Sequence, residues 1–122
     1  MESKAKQRGF EFYKLWKSAT DEQKQKVIDR VKVISVEGKT YSPMNTFLIA
    51  NQYPIGGVFG GFKQWREQGR TVKKGEHGFS IMFPTKFKDK DGEEGNTRFY
   101  FWTVFEERQT EVIKKEATNE VI

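Results

Sequence analysis

Apolar residues in the first half of the chain recur at the spacing of amphipathic helices. Phe12, Leu15 and Trp16 share one face at this spacing and predict a short first helix. Thr20 followed by Gln23 has the pattern of a capping box, in which side chain and backbone satisfy each other at a helix start. We therefore expect a second helix to begin after Thr20.

A third helix is predicted by its boundary residues. Ser42 is a preferred N-cap residue, and Pro43 suits the first helical position because its fixed φ already matches the helix. Pro54 ends the element, since the residue before a proline avoids the helical region. Residues 31–36, by contrast, alternate with a period of two, so they could either end the second helix or form a strand.

The segment that follows is rich in glycine and then basic. Residues 56–61 contain four glycines and predict a mobile or tightly turning loop. Residues 62–68 predict a short helix that Gly69 closes, because glycine readily adopts the left-handed conformation after a helix end.

The last third of the chain predicts a β-hairpin. Residues 79–87 and 99–105 alternate with period two around a turn-forming segment at 88–96. Both faces of the second strand are apolar, with Phe99, Phe101 and Phe105 on one and Tyr100, Trp102 and Val104 on the other. Two interpretations stay open. The strand is covered on both sides, or Tyr100 and Trp102 form a stacking platform or a protein-binding patch. The fold class predicted is α+β, a single domain with short helices packed on a β-hairpin-centred antiparallel sheet.

Composition excludes several kinds of chemistry. The 122 residues include no cysteine and one histidine, which excludes disulfides, thiolate nucleophiles and metal sites that need two histidines. No catalytic constellation is visible, and His77 fits a turn better than a general base, so we expect neither an enzyme nor a cofactor or metal. No apolar run approaches the roughly 20 residues of a membrane span, and no signal peptide opens the chain, so a cytoplasmic location is expected.

Positive charge is concentrated where the helix after the glycines is predicted. The formal net charge is +5, and residues 1–80 carry 15 basic against 8 acidic groups. Within 62–75 five cations surround Phe62 and Trp65, the combination that single-stranded nucleic acid requires, since cations neutralise phosphates and rings stack on bases. The other interpretation is that the cations form a solvated helix face and both rings are buried. The sequence favours burial for Phe62 and does not decide between core and surface for Trp65. The cations are Lys63, Arg66, Arg70, Lys73 and Lys74.

Asn45 is a polar residue within the apolar third helix. Its amide could hydrogen-bond a neighbouring loop or contact a nucleotide, and the apolar surroundings favour the structural role.

Taken in order, these motifs resemble the N-terminal domain of ArdC-type anti-restriction proteins. The resemblance covers 10–111 and is carried most specifically by Val-Lys-Lys-Gly-Glu-x-Gly at 72–78, with support from 41–45, 62–64 and the Val-Phe…Gln-Thr close at 104–110. Outside that range, polar composition predicts a flexible N-terminus at 1–9, and residues 112–122 are assigned to a charged C-terminal tail. The resemblance implies binding of single-stranded DNA at Tyr41, Asn45, Lys63, Gln64, Arg70, Lys73, Lys74 and Glu76. From the residue types themselves we expect the five cations to contact phosphates and Trp65 and Tyr41 to stack on bases.

Two departures from the family pattern limit what carries over. No peptidase half accompanies these motifs, so the resemblance implies no protease activity. Trp65 stands where family members more often have a small residue. A small domain of this kind resembles accessory proteins encoded on mobile elements such as staphylococcal cassette chromosomes, which implies a role beside a DNA polymerase, primase or helicase. The alternative function is a protein-interaction subunit that docks on such an enzyme through Tyr100 and Trp102, with DNA binding secondary.

Overall fold

The computed structural model describes residues 4–88 and 94–113. A short 3-10 turn, Glu107–Gln109, separates the last two strands. The helices are α1 (Lys4–Ser18), α2 (Asp21–Arg30), α3 (Pro43–Gln52) and α4 (Phe62–Glu67), and the strands are β1 (Val33–Ser35), β2 (Gly57–Gly60), β3 (Arg70–Val72), β4 (Phe79–Lys88), β5 (Glu94–Glu106) and β6 (Thr110–Val112).

Four strands form the main sheet in the order β1-β2-β5-β4, and β3 pairs with β6 in a separate two-stranded sheet. The β4–β5 hairpin pairs Ile81 with Trp102 and Phe83 with Tyr100. β5 also runs antiparallel to β2, whereas β1 and β2 are parallel. The α+β class with helices on a hairpin-centred sheet is confirmed, and the parallel pair makes that sheet mixed rather than wholly antiparallel.

The helix starts follow the local signals in the sequence. The Thr20 hydroxyl accepts from Gln23 N at 3.1 Å, and the Gln23 side chain accepts from Thr20 N at 2.8 Å, which completes the capping box. Ser42 caps α3 through its hydroxyl alone, which accepts from Asn45 N at 3.2 Å, with Pro43 in the first turn. α2 ends at Arg30, so the alternating residues after it form the strand β1.

Three segments differ from the sequence prediction. Residues 4–9, predicted as part of a flexible N-terminus, form the first turns of α1. Gly9 is buried there, so close to the Phe101 ring that a Cβ added to it would lie 2.5 Å from that ring. The predicted glycine loop contains a strand, β2, inside the sheet. Val112, assigned to a charged tail, pairs with Arg70 in the β3–β6 sheet, while 114–122 and the hairpin tip at 89–93 lie outside the described residues.

The core lies on both sides of α3, in which all residues from Asn45 to Ala50 are buried. One cluster joins Ile49 to Phe59 and Val104 on the sheet, and another joins Leu48 to Met82 beneath the rings of α1. Because side chains alternate along paired strands, Val104 and Met82 lie on opposite faces of the hairpin, so the two clusters pack against both faces. Among the described helices, none is long and apolar enough to cross a membrane.

Candidate functional site

A groove of about 1260 Å³ opens between the β1–α3 loop, α4 and the β4–β5 hairpin. We call it the aromatic groove because Phe62, Phe83 and Trp102 line it. Its volume exceeds the roughly 300–1,000 Å³ of ordinary small-molecule pockets. Its size and open shape therefore suit a segment of a polymer better than a single small molecule.

The three rings are unusually accessible for aromatic side chains. Trp102 is 61% exposed, Phe62 50% and Phe83 43%. Trp102 and Phe83 meet edge to face across the hairpin, with ring centroids 6.3 Å apart and planes at 89°. Because side chains alternate along a strand, Tyr100 lies on the same hairpin face as Trp102 and is also exposed. The strand therefore keeps part of one apolar face open to solvent, in place of the double coverage that the sequence left possible.

Charged side chains of both signs border the rings. Lys39 and Lys63 line the groove together with Glu37 and Glu67, so the formal charges of these four balance. The Glu37 carboxylate lies 3.9 Å from the Lys39 ammonium and accepts from the Gln64 side-chain amide at 3.1 Å. This contact ties the β1–α3 loop to α4 across one end of the groove.

Tyr41 lines the groove but faces partly inward. Its hydroxyl donates to the Phe59 carbonyl at 3.1 Å. Burial, and secondly the charge of Glu37, raises the pKa of Tyr41 to about 12, so the phenol stays neutral at ordinary pH. The ring of Tyr41 can contact a ligand in the groove, while its hydroxyl stays bonded to the Phe59 carbonyl.

The prediction that Trp65 stacks on bases is wrong. Trp65 is 2% exposed, and its indole Nε1 donates to the Phe105 carbonyl at 2.9 Å. The sequence reasoning favoured burial for Phe62, yet Phe62 is the half-exposed ring of this short helix. Its ring packs edge to face on Phe105, with centroids 6.5 Å apart. Of the two rings on α4, Trp65 is therefore the buried one that fixes the helix to the sheet, and Phe62 is the one exposed to solvent.

Asn45 and Gln64, two predicted DNA contacts, are occupied by intramolecular hydrogen bonds. The Asn45 amide donates to the Met82 carbonyl at 3.0 Å and accepts from Met82 N at 2.8 Å, fully buried. Asn45 therefore has the structural role that its apolar surroundings favoured, and the nucleotide contact is wrong. Gln64 accepts from Gly61 N at 2.8 Å in addition to donating to Glu37. Gln64 therefore links the start of α4 to Glu37 in the β1–α3 loop, on the wall of the groove.

The five predicted phosphate contacts lie on different elements: Lys63 and Arg66 on α4, Arg70 on β3, and Lys73 and Lys74 in the turn after it. Lys63 lines the aromatic groove, whereas the other four lie outside its lining. Arg70 belongs to β3, and its guanidinium donates to the Thr110 hydroxyl at 2.8 Å and to the Thr110 carbonyl at 3.1 Å. These bonds fix β3 to β6, so the predicted place of Arg70 on a helix face is wrong, and its phosphate contact stays a prediction.

Lys73 and Lys74 are exposed in the turn after β3. Hydrogen bonds from Gln109, in the 3-10 turn before β6, hold this segment in place. The Gln109 amide donates to the Glu76 carboxylate at 3.2 Å and to the His77 carbonyl at 2.7 Å. Together with exposed Arg66, these lysines form an outer basic stretch that the groove lining does not include. Glu76 thus has an internal partner for the carboxylate that the resemblance assigned to DNA.

Sequence reasoning missed the role of several groove residues. Phe83 falls within the alternating residues 79–87, which predicted a strand and no binding role, and the sequence predicted no binding role for Lys39. Period-two alternation assigns Phe83 and Trp102 each to one face of its own strand, but the register that brings the two rings together is set by the folded hairpin. Lys39 reaches the groove through the long-range fold of the β1–α3 loop, for which the local sequence carries no signal.

Comparisons with known proteins agree with this architecture. The family model of the N-terminal domain of the anti-restriction factor ArdC matches residues 4–121. No curated protein matches the chain significantly. The metal-free crystal structure of the antirestriction protein ArdC from plasmid R388 aligns with a TM-score of 0.54 and 21% identity over 75% of this chain. Its Mn(II)-bound structure aligns with a TM-score of 0.59 and 14% identity over 93% of this chain.

In both alignments the chain spans 42% of the length of the ArdC protein, and at these identities the likeness is one of fold. The family model, which extends over nearly all of the sequence, is the stronger finding. This chain belongs to the ArdC N-terminal domain family.

Proposed function

We propose that the protein binds single-stranded DNA by stacking unpaired bases in the aromatic groove. The observation that carries the proposal is that three exposed rings, Phe62, Phe83 and Trp102, line one open groove beside Lys39 and Lys63. Aromatic side chains stack on any base, and nearby lysines neutralise the phosphates between them. Binding of this kind tolerates different sequences and involves no chemical step.

The geometry favours unpaired over paired strands. In a duplex the bases are stacked on each other, so their flat faces are closed to Phe83 and Trp102, whereas a single strand can splay its bases onto the rings. The outer basic stretch of Arg66, Lys73 and Lys74 could hold a strand that leaves the groove past α4. We assign it a secondary role, because the rings lie elsewhere.

A ring deletion tests the proposal. Stacking on one aromatic side chain contributes about 1–3 kcal/mol per base, so Trp102→Ala should weaken binding of fluorescent oligo-dT by about 5- to 150-fold in an anisotropy titration. The matched control is Ile55→Ala, which removes a 70% exposed apolar side chain outside the groove and should leave the affinity unchanged. Equal affinities of Trp102→Ala and the parent protein, with both folded, would contradict the proposal.

The charge balance of the groove favours a second candidate function. Because Glu37 and Glu67 offset Lys39 and Lys63, the same open rings would also suit an apolar protein partner, as in a subunit that docks on a DNA polymerase or helicase. The two candidates separate in the same titration. If Trp102→Ala and Tyr100→Ala leave oligo-dT binding intact but abolish binding to such an enzyme, the groove serves protein docking.

We further propose that the protein acts as an accessory subunit in replication or priming of a mobile genetic element. Membership of the ArdC N-terminal domain family supports this setting, since the similar solved protein comes from a plasmid. A primer-extension assay on a single-stranded template, with a polymerase or primase encoded beside this protein, tests it. A change in extension that Trp102→Ala removes would support the role, and identical extension with and without the protein would contradict it.

A further inference from the structure

A second cleft, of about 670 Å³, lies between the end of α1, α2 and the second half of α3. We call it the helical cleft. Its lining residues include Val31, Phe47 and Ala50 of the buried core and none of the residues that line the aromatic groove. Leu15, which is 45% exposed, stands at its edge. The cleft is therefore a separate apolar surface that opens to solvent.

The charged residues that line this cleft are both basic. Lys26 and Arg30 lie one turn apart on α2, and both are exposed. The neighbouring acids on α2 are Glu22 and Asp29, and neither lines the cleft. The Asp29 carboxylate accepts from the Gln25 amide at 2.7 Å, and the Glu22 carboxylate lies 3.6 Å from the Lys26 ammonium. Such an exposed pair contributes little and exchanges readily, so Lys26 can turn to an incoming carboxylate. The apolar floor with a basic rim is complementary to a ligand that is apolar on one face and acidic beside it.

We propose that the helical cleft docks an acidic amphipathic helix of a protein partner. The lining on α2 runs from Gln23 to Arg30, roughly 10 Å along the axis at 1.5 Å per residue, which matches two turns of a bound helix. A helix in such a groove anchors apolar side chains at positions i and i+4, and glutamates beside them would meet Lys26 and Arg30. This inference does not depend on the aromatic groove and leaves it free to bind DNA at the same time.

The probe is a fluorescent helical peptide with leucines at i, i+4 and i+7 and glutamates beside them. Its twin carries lysines in place of the glutamates. We expect the acidic peptide to bind and the basic twin to bind at least about tenfold more weakly, because only the former is complementary to the rim. Lys26→Glu combined with Arg30→Glu should weaken the acidic peptide by about tenfold or more. Glu22→Gln, which releases Lys26, should strengthen it about two- to threefold.

Two further variants keep the test decisive. Lys32→Glu changes an exposed charge just outside the cleft and should leave peptide binding unchanged. Leu15→Ala removes an apolar side chain that lines the cleft without changing any charge, and it should also weaken the acidic peptide. The proposal is overturned if the acidic peptide fails to bind, or if it binds the double variant as well as the parent. It is equally overturned if the double variant loses oligo-dT instead, because Lys26 and Arg30 would then serve nucleic acid.

Discussion

Two side-chain amides replace the hydrogen bonds of a neighbouring strand along the outer edge of β4. β4 is an edge strand, and Asn45 pairs with the backbone N and O of Met82. Gln52 pairs in the same way with Ser80, donating to its carbonyl at 2.8 Å and accepting from its N at 2.9 Å. A buried edge with unpaired backbone groups would be costly, so these amides let α3 lie against the hairpin.

Asn45→Ala should destabilise the fold strongly. The change leaves both backbone groups of Met82 buried without partners, and each unsatisfied group costs about 1–3 kcal/mol, so we expect a loss of about 2–6 kcal/mol in urea unfolding. Asn51→Ala is the matched control, since the Asn51 amide donates only to the Phe47 carbonyl of its own helix. If Asn45→Ala unfolds at the parent's midpoint yet loses oligo-dT binding, Asn45 is a nucleotide contact after all.

Tyr41 gives the protein a defined alkaline transition. The phenol has a pKa of about 12 in the folded chain against 10.0 for the free side chain, so folding favours the neutral form. Its contribution to stability is therefore complete below pH 10 and is lost as pH rises toward 12. Phenolate absorbance should show one late step that Tyr41→Phe removes. An unchanged absorbance curve in that variant would mean that Tyr41 is not the buried phenol.

At the scale of elements, local signals predicted the helices well. The Thr20 capping box and the Ser42-Pro43 start depend on residues within one turn, so sequence alone reveals them. The parallel β1–β2 pair and the β3–β6 sheet could not be predicted, because each joins segments far apart in sequence. The partner of a strand is set by the packed fold, and strands of three or four residues carry almost no alternating pattern of their own.

The short helix α4 shows the same limit at the candidate site. Its cations and rings are evident in the sequence, but which ring is buried depends on the position of the Phe105 carbonyl that receives the Trp65 indole. Likewise, the spacing of Arg70 predicts a place on a helical basic face. In the structure Arg70 lies in β3, which pairs with β6, and its guanidinium donates to Thr110. The residue types of a binding surface were predictable, whereas the division between anchor and exposed ring was not.

The outer basic stretch should contribute less to DNA binding than the rings. Lys73→Glu combined with Lys74→Glu removes two exposed cations outside the groove, so we expect a loss of a few-fold at physiological salt, smaller than that of Trp102→Ala. Anisotropy with oligo-dT measures both. Lys32→Glu combined with Lys14→Glu serves as a control for net charge. A near-complete loss in the Lys73/Lys74 variant alone would move the main site from the groove to this turn.

At the scale of the whole molecule, the salt dependence of DNA binding reports how many cations contact phosphates. Each phosphate neutralised in a single strand contributes about −0.7 to the slope of log Kobs against log salt, so Lys39 and Lys63 predict a slope of about −1.4. Participation of Arg66, Lys73 and Lys74 as well would steepen it to about −3.5. A titration of oligo-dT binding across salt concentrations distinguishes the groove from a site that uses the whole basic surface.

The aromatic groove and the helical cleft lie on separate sets of residues, which gives the molecule two independent surfaces. We expect saturating oligo-dT to leave the affinity for the acidic helical peptide unchanged within about twofold, since neither ligand contacts the other's site. Peptide titrations with and without oligo-dT measure this. Strict competition between the two would mean that they share one surface.

The three tryptophans offer the most direct test of the central claim, that DNA bases stack in the aromatic groove. Trp102 is exposed in it, while Trp65 is sealed against Phe105. Indole N–H signals in a nuclear magnetic resonance titration with oligo-dT report on each separately. We predict that the Trp102 signal shifts most and the Trp65 signal stays in place. An unmoved Trp102 signal at saturating DNA, with shifts confined to the amides of 73–75, would contradict the account.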